Sequence, residues 1–295
     1  MCILIADAFS SDLPERLGGF GKASIEMADL EEARVLLVRS KTKCTREFLE
    51  KAPKLEIIIR GGVGLDNVDL DAAEERGIRV YNTPRASSIA VAELAFAMML
   101  AIPTRLVEAH QSMSEGQWAK KELKRTELYG KTLGLLGMGN IATEVALRAK
   151  AFGMNVVGYD AFKKSSPAGE MLRSPEEVFS QADYISLHLP LTDGTREMIR
   201  EDAIEKMNDG VVLINTARGD IVNPWDVLVA LEKGKISWYC TDVWPTDPPP
   251  EDYPLLGAPR VLMAPHIGAS SRENLMRIED EIVGILEKHV EEGLL

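Results

Sequence analysis

Little in this sequence is aromatic or basic, and very little is cysteine or histidine. Of 295 residues, 6% are Phe, Trp or Tyr, three are Cys and four are His. Cys2, Cys44 and Cys240 stand far apart and form no Cys-x-x-Cys or Cys/His set. That excludes a disulfide framework and gives no metal site, and it fits reduced thiols in a cytoplasmic protein. Lys and Arg number 34 against 46 Asp and Glu, a formal charge of −12 with no basic stripe to offset it. General nucleic-acid binding is excluded on that ground, although a local Arg/Lys cluster would still suffice for a small anionic substrate. No apolar run reaches the ~20 residues needed to cross a bilayer. The longest, 89–102, contains Glu93 and reads as a buried helix. The chain opens directly on a strand-like run, so no signal peptide and no membrane attachment is expected.

What is present begins with 131–142. A short apolar run ends in Gly137-x-Gly139-x-x-Ala142, helix formers follow through Phe152, and a second apolar run, 155–159, ends in Asp160. Strand, tight turn, helix and second strand closing on an acid is the dinucleotide-binding pattern. Gly137 permits the turn and Gly139 lets backbone approach a pyrophosphate. Asn140 and Ile141 open the helix whose unpaired N–H groups face the phosphates. Asp160 would accept hydrogen bonds from the adenosine ribose and repel a 2′-phosphate, so NAD is expected rather than NADP. By contrast, Gly18-Gly19-Phe20-Gly21 follows no strand and reads as a turn.

The first third alternates short apolar runs (2–7, 35–39, 55–59, 79–81) with helical stretches (46–51, 69–76). This rhythm predicts a mostly parallel sheet covered on both faces. One long helical stretch then runs from Ser87 to about His110, interrupted at Pro103, and a polar helix-competent piece continues to Trp118. After the glycine turn, strands are expected at 184–189, 210–215, 237–241 and 260–263, with helices around 175–180, 202–207 and 224–232 between them. A final helix from Ser271 to about Glu291 carries Leu275, Ile278, Ile282, Ile285 and Leu286 at helical spacing. The fold class is therefore α/β, with two doubly wound parallel sheets.

In such sheets ligands sit beyond the carboxyl ends of the strands. Arg218 follows the strand at 210–215, Asp242 and Asp247 follow 237–241, and His266 follows 260–263. An arginine can hold a carboxylate by two hydrogen bonds, a histidine can exchange a hydroxyl proton near neutral pH, and a carboxylate can orient that histidine. Each residue alone has a plainer explanation: a surface arginine, a loop histidine, a turn-forming aspartate among prolines. Their shared position at successive strand ends is what favours chemistry. Of the other histidines, His110 and His289 lie on helices and read as solvated, while His188 ends a strand on the adenine side.

Three segments, 215–219 (Asn-Thr-Ala-Arg-Gly), 242–248 (Asp-Val-Trp-Pro-Thr-Asp-Pro) and 265–268 (Pro-His-Ile-Gly), resemble in order the signatures of the D-isomer-specific 2-hydroxyacid dehydrogenases. Within that family the chain is most similar to the phosphoglycerate dehydrogenases, a likeness shared by 38–40, 60–69 and 127–132. The resemblance implies a discontinuous layout. Residues 1–86 and 268–295 would form the substrate domain and 87–267 the NAD-binding Rossmann domain, with a cleft between them. It implies Arg218 on the substrate carboxylate and carbonyl, His266 as acid/base and Asp247 as its partner. Arg60, Gly61, Gly62 and Val63 would meet the substrate, and Arg39, Arg60 and Lys120 a substrate phosphate. Thr216, Ala217, Asp242, His188 and Pro190 would touch NAD, and a homodimer is implied.

Departures from the family pattern carry their own expectations. Asp247 stands where Glu is usual. Its shorter side chain lengthens the contact to His266, or routes it through water, unless the loop moves inward. Ser87 replaces a common Asn near the substrate, and Ala142 the third glycine. No regulatory domain follows Leu295, so serine feedback through one is not expected. The resulting reading is an NAD-dependent enzyme interconverting a D-2-hydroxy acid and its 2-oxo acid, with 3-phosphoglycerate the leading substrate and serine biosynthesis the setting. The alternatives are a glyoxylate/hydroxypyruvate reductase and, in another class, an NAD-sensing interaction protein of the corepressor type.

Overall fold

The computed structural model describes residues 1–293, and the chain divides into two compact units, Met1–Ser88 with Ala269–Leu295, and Ile89–Gly268. The first unit is built on β1 (Cys2–Ile5), β2 (Lys22–Ser24), β3 (Val35–Val38), β4 (Ile57–Arg60) and β5 (Arg79–Asn82), with helices α1 (Leu13–Arg16), α2 (Arg46–Glu50) and α3 (Leu70–Glu75) between them. All pairings are parallel and the strand order is β2-β1-β3-β4-β5. A parallel sheet covered on both faces needs apolar residues at every position, and Val35 to Val38 and Ile57 to Ile59 are all fully buried. One face packs Leu4, Leu36 and Ile58 against Leu49, Ala72 and Ala73. The other packs Ile3, Ile57 and Ile59 against Leu13, Leu17 and the final helix.

The second unit begins in α4 (Ser88–Thr104) and α5 (Leu106–Ser114) and holds β6 (Thr132–Leu136), β7 (Asn155–Tyr159), β8 (Glu170–Met171), β9 (Tyr184–Leu187), β10 (Val211–Asn215), β11 (Ile236–Thr241) and β12 (Val261–Met263). Helices α6 (Asn140–Ala151), α7 (Pro175–Gln181), α8 (Glu201–Glu205) and α9 (Pro224–Lys233) connect them. The seven strands are parallel in the order β12-β11-β10-β9-β6-β7-β8. The order reverses at β6, between β9 and β7, and that reversal is the switch point where a doubly wound sheet opens to a ligand. The run at 89–102 is a core helix: Ala92, Ala95, Phe96, Met98 and Met99 pack against Leu133, Leu135 and Val145. Among the described residues no single helix is long and apolar enough to cross a bilayer.

Helix α10 (Arg272–Glu291) returns to the first unit. Its N-cap Ser271 accepts a hydrogen bond from Asn274 N, and Ile278, Ile282 and Leu286, one turn apart, are fully buried.

Several local expectations are corrected. Strands β2 and β8 were not anticipated, because Lys22-Ala23-Ser24 and Glu170-Met171 are too short and polar to signal an edge. The long helix breaks at Arg105, not at Pro103. Arg105 takes a left-handed conformation (φ 51°), which turns α5 by 66° from α4, while Pro103 stays within α4. Helix ends at Ser114, so Trp118 lies in a loop and is 76% exposed. His289 is not solvated: it is buried, with Nδ1 bonded to Ile285 O at 2.7 Å and Nε2 to the Tyr81 hydroxyl at 2.9 Å.

Candidate active site

In the second unit the singled-out residues come after the carboxyl ends of neighbouring strands. Read across the sheet, His266 follows β12, Asp242 and Asp247 follow β11, Thr216 to Arg218 follow β10, and His188 follows β9. Gly137 and Gly139 follow β6, and Asp160 follows β7.

The glycine turn is a backbone device. Gly137 has φ +85°, where a side chain is strained, and a methyl on it would stand 2.3 Å from the His188 carbonyl oxygen. Gly139 differs: a methyl there meets nothing within 4 Å. It is the N-cap of α6 and makes no side-chain cap, so it stands at the N-terminus of a twelve-residue helix. Asn140 is exposed and Ile141 half-buried at the start of that helix. Thr216, buried at the end of β10, has a hydroxyl with no hydrogen-bond partner, and Ala217 beside it is buried. An open turn at Gly139, a helix N-terminus and an orphaned buried hydroxyl along the same row of strand ends fit a dinucleotide. Asp160 Oδ2 accepts from Met138 N at 2.9 Å. Burial works to raise its carboxyl, but backbone N–H groups of Met138, Phe162 and Lys163 and the charge of Lys163 outweigh this and hold it below the ordinary range. His188 shares a 3.0 Å hydrogen bond with Ser186 Oγ, and burial pushes its imidazole down to about 4. Pro190 is exposed nearby in sequence.

The other end of the row is made of side chains. His266 Nδ1 meets Asp247 Oδ2 directly, at 2.5 Å. The contact is thus neither lengthened nor water-bridged, the outcome expected if the loop lies inward. Gly219 has its α-carbon packed on Trp244, where a methyl would stand 2.3 Å from the Trp244 carbonyl carbon. The Trp244 indole N–H donates to Ala264 O at 3.0 Å, tying the Asp247 loop to the His266 loop, and its ring packs edge-on to Tyr253. His266 itself is left-handed (φ 55°) and 41% exposed, and its loop is anchored through the next two residues, Ile267 and Gly268. Their anchor is Asp242, which the family resemblance implies would touch NAD and which is buried here. Its Oδ1 accepts from Ile267 N at 2.8 Å and its Oδ2 from Gly268 N at 2.7 Å. Burial raises its carboxyl and those two N–H groups oppose the rise. The structure thus shows Asp242 positioning the His266 loop.

Arg218 is half-buried on extended backbone, its Nη1 donating to Ala217 O at 2.7 Å. Sequence reasoning missed the residue that holds it. Asn215, fully buried, donates to Arg218 O at 2.8 Å and accepts from Ala217 N at 3.0 Å, stapling the turn from both sides. An asparagine ending an apolar strand was the available signal. The Gly219–Trp244 packing links the Arg218 turn to the loop that carries Asp247.

In the first unit, the loops after β3 and β4 carry Arg39, Arg60 and Gly61 to Val63. Asp7 accepts from Arg39 N at 2.6 Å and Thr42 Oγ1 at 2.7 Å, and Asn67 donates to Arg39 O and Thr42 O. The second loop is pinned by Thr83, whose buried hydroxyl accepts from Gly62 N at 2.7 Å, and by Asn82, which donates to Val63 O. The guanidinium of Arg60 folds over the turn, its Nη1 1.6 Å from where a Cβ on Gly62 would stand, and the φ of +141° at Gly62 disfavours a side chain there. Val63 is 37% exposed. Ser87 is buried with an unpartnered hydroxyl. Lys120, in the second unit, is exposed beyond α5. Asp7, Asn67, Asn82 and Thr83 are further residues that the sequence did not flag. Among the described residues no three His, Cys, Asp or Glu side chains cluster as a metal site.

Residues 96–268 match the family model of the NAD binding domain of D-isomer specific 2-hydroxyacid dehydrogenases. The chain is 44% identical to a hydroxypyruvate reductase of Thermotoga maritima over 259 residues, 87% of this chain and 85% of that one. It is 41% identical to a D-3-phosphoglycerate dehydrogenase of Methanocaldococcus jannaschii over 283 residues, 92% of this chain but 54% of the relative, so it spans about half that enzyme's length. The crystal structure of a D-lactate dehydrogenase from Aquifex aeolicus, complexed with NAD and lactic acid, superposes with a TM-score of 0.86 at 31% identity, covering 99% of this chain and 96% of that one.

Proposed function

The chain belongs to the D-isomer-specific 2-hydroxyacid dehydrogenases, oxidoreductases that use NAD, and from that premise we propose that its substrate pair is 3-phosphoglycerate and 3-phosphohydroxypyruvate. The observation that carries a reductase chemistry is the direct His266–Asp247 contact at one end of a strand-end row whose other end is the glycine turn. When bound, the nicotinamide supplies or accepts a hydride at the substrate's C2. Arg218 binds the substrate carboxylate and polarises the neighbouring carbonyl with its planar guanidinium. In reduction His266, doubly protonated, gives its Nε2 proton to the carbonyl oxygen as negative charge develops there; in oxidation it takes that proton back. Asp247 on Nδ1 orients the ring and leaves Nε2 as the atom that faces substrate. Asp242 and Asn215 hold the histidine and arginine turns. Gly137, Gly139, Asn140, Ile141, Asp160, His188, Pro190, Thr216 and Ala217 serve NAD. Arg60, Gly61, Gly62 and Val63 bind the carboxylate, and Arg39, Arg60 and Lys120 the phosphate.

The domain roles follow the same reading: the Met1–Ser88/Ala269–Leu295 unit takes substrate and the Ile89–Gly268 unit takes NAD. We place the protein in the cytoplasm, in serine formation, and as a homodimer. Exposed Leu106, Val107 and Met113 on α5, with Trp118 and Tyr129 beyond it, support an apolar surface for a second copy.

A hydroxypyruvate or glyoxylate reductase is the second reading. It is favoured by the relative of that name, which matches over 85% of its own length rather than about half. A substrate panel followed by NADH absorbance separates them. Phosphohydroxypyruvate should be reduced with the highest kcat/KM; a preference for hydroxypyruvate or glyoxylate would overturn the phosphate assignment. NAD binding without turnover of any 2-oxo acid would instead support an NAD-sensing interaction protein.

A further inference from the structure

The turn that carries Asp160 also carries a fixed positive charge. Asp160 Oδ1 accepts from the backbone N–H groups of Phe162 (2.9 Å) and Lys163 (3.1 Å), while Oδ2 takes Met138 N. Lys163 then folds back, and its Nζ donates to the Met138 carbonyl oxygen at 2.8 Å. Both backbone groups of Met138, the middle residue of the Gly137-Met138-Gly139 turn, are thus tied to one short loop, the N–H by a carboxylate and the C=O by an ammonium. The charge of Lys163 is felt at Asp160, being one of the influences that hold its carboxyl down.

This changes what Asp160 alone would do. An isolated carboxylate at the ribose end of a nucleotide site repels a 2′-phosphate. Here the carboxylate is satisfied by three N–H groups, and a cation fixed on the same loop brings the net charge of the pair to zero. An ammonium has three donors; one serves Met138, and two remain for a ligand or water. Ammonium groups bind phosphate as point charges. We propose that Lys163 is a second selectivity residue of the nucleotide site, offsetting Asp160 so that the chain binds NADP(H) as well as NAD(H), more weakly but usably. The proposal rests on the reading of Gly137 to Asp160 as that site.

The test is calorimetric titration of the full chain with NADH and with NADPH, no substrate present. The wild type should bind NADPH with a Kd within about 100-fold of that for NADH. Lys163→Ala should weaken NADPH by about tenfold and Lys163→Glu by more, with NADH changed less than about threefold. Lys163→Arg should keep NADPH binding, and Lys164→Ala, a neighbouring charge, should leave both ligands as they are. Wild-type protein that binds NADH but gives no measurable NADPH binding would overturn the proposal without any variant. So would equal losses for both cofactors in Lys163→Ala, the result expected if Lys163 merely braces the turn. Absence of NADH binding by the wild type would overturn the nucleotide-site reading and this proposal with it.

Discussion

The two ends of the strand-end row in the second unit are built in opposite ways. At the β6–β7 end recognition is done by backbone: a left-handed glycine, a helix N-terminus and a carboxylate spent largely on nearby N–H groups. At the β10–β12 end it is done by side chains, Arg218, Asp247 and His266, each on a loop that something else holds. At the first end the sensitive positions are glycines, whose side-chain-free backbone is the feature in use. At the second they are the functional groups of Arg218, Asp247 and His266. Substitutions at the two ends should therefore fail differently, in binding or folding at one and in turnover at the other.

The largest separation is expected from His266→Ala and Arg218→Ala. Each should lower kcat for 2-oxo acid reduction by about 10³-fold or more, with NADH affinity changed less than about threefold. Stopped-flow turnover and NADH titration on the same preparations check this. Turnover within about tenfold of wild type in either variant would remove that residue from the chemistry.

Gly137→Ala comes next and should fail in the other way. The methyl collides with backbone, the His188 carbonyl, and the φ of +85° adds strain, so a stability loss of about 3 kcal/mol is expected in urea unfolding, together with lost NADH binding. Gly139→Ala sharpens the contrast. Its methyl meets nothing and its φ of −78° is ordinary, so stability should stay within about 0.5 kcal/mol while NADH affinity falls about tenfold or more. If both alanines unfold the protein alike, Gly139 is a structural glycine and not the one that admits a pyrophosphate.

Much of this architecture was legible because its signals are local. Buried parallel strands read as unbroken apolar runs, as at Ile57 to Ile59, and the glycine turn announces itself within a few residues. What was not legible depends on contacts distant in sequence. His289 looked like a surface residue on a polar helix face because its partner, Tyr81, lies 208 residues away. The Asp247–His266 distance depended on Gly219 admitting the Trp244 backbone, and side-chain length alone pointed to a gap. Asn215 and Thr83 carry no chemistry of their own, and their place under the loops appears only when the strands are assembled. Arg105, not Pro103, breaks the long helix, since a proline can sit in a helix while a left-handed residue cannot continue one.

A smaller effect is expected at Asp247, where the contact is already direct. Asp247→Asn keeps a hydrogen-bond acceptor for Nδ1 but removes the carboxylate that orients the ring, and kcat should fall by about 10–10²-fold. Asp247→Glu adds a methylene to a half-exposed side chain whose contact to His266 is already 2.5 Å, so the carboxylate is displaced, and kcat should change by less than about tenfold, downward. A Glu variant faster than wild type would mean that the aspartate is a compromise and the inward loop does not compensate for its length.

An effect on stability alone belongs to His188, which sits behind Gly137 at the backbone-built end. Burial holds its imidazole down at about 4, against an ordinary 6.5. The folded state therefore resists a proton that the unfolded state takes up readily. Above pH 6.5 neither state binds that proton and nothing is lost. As pH falls from about 6.5 towards 4, stability should drop at up to about 1.4 kcal/mol per pH unit from this group alone, and the drop should stop once the folded imidazole also protonates. Other groups titrate in the same range, so the measurement is a difference: urea unfolding of wild type and His188→Asn at pH 7 and pH 5. The variant loses the 3.0 Å bond to Ser186 and starts lower, but its stability should fall less between the two pH values. Equal slopes would show that His188 is reached by water, and that this end of the row is wetter than its packing against Gly137 implies.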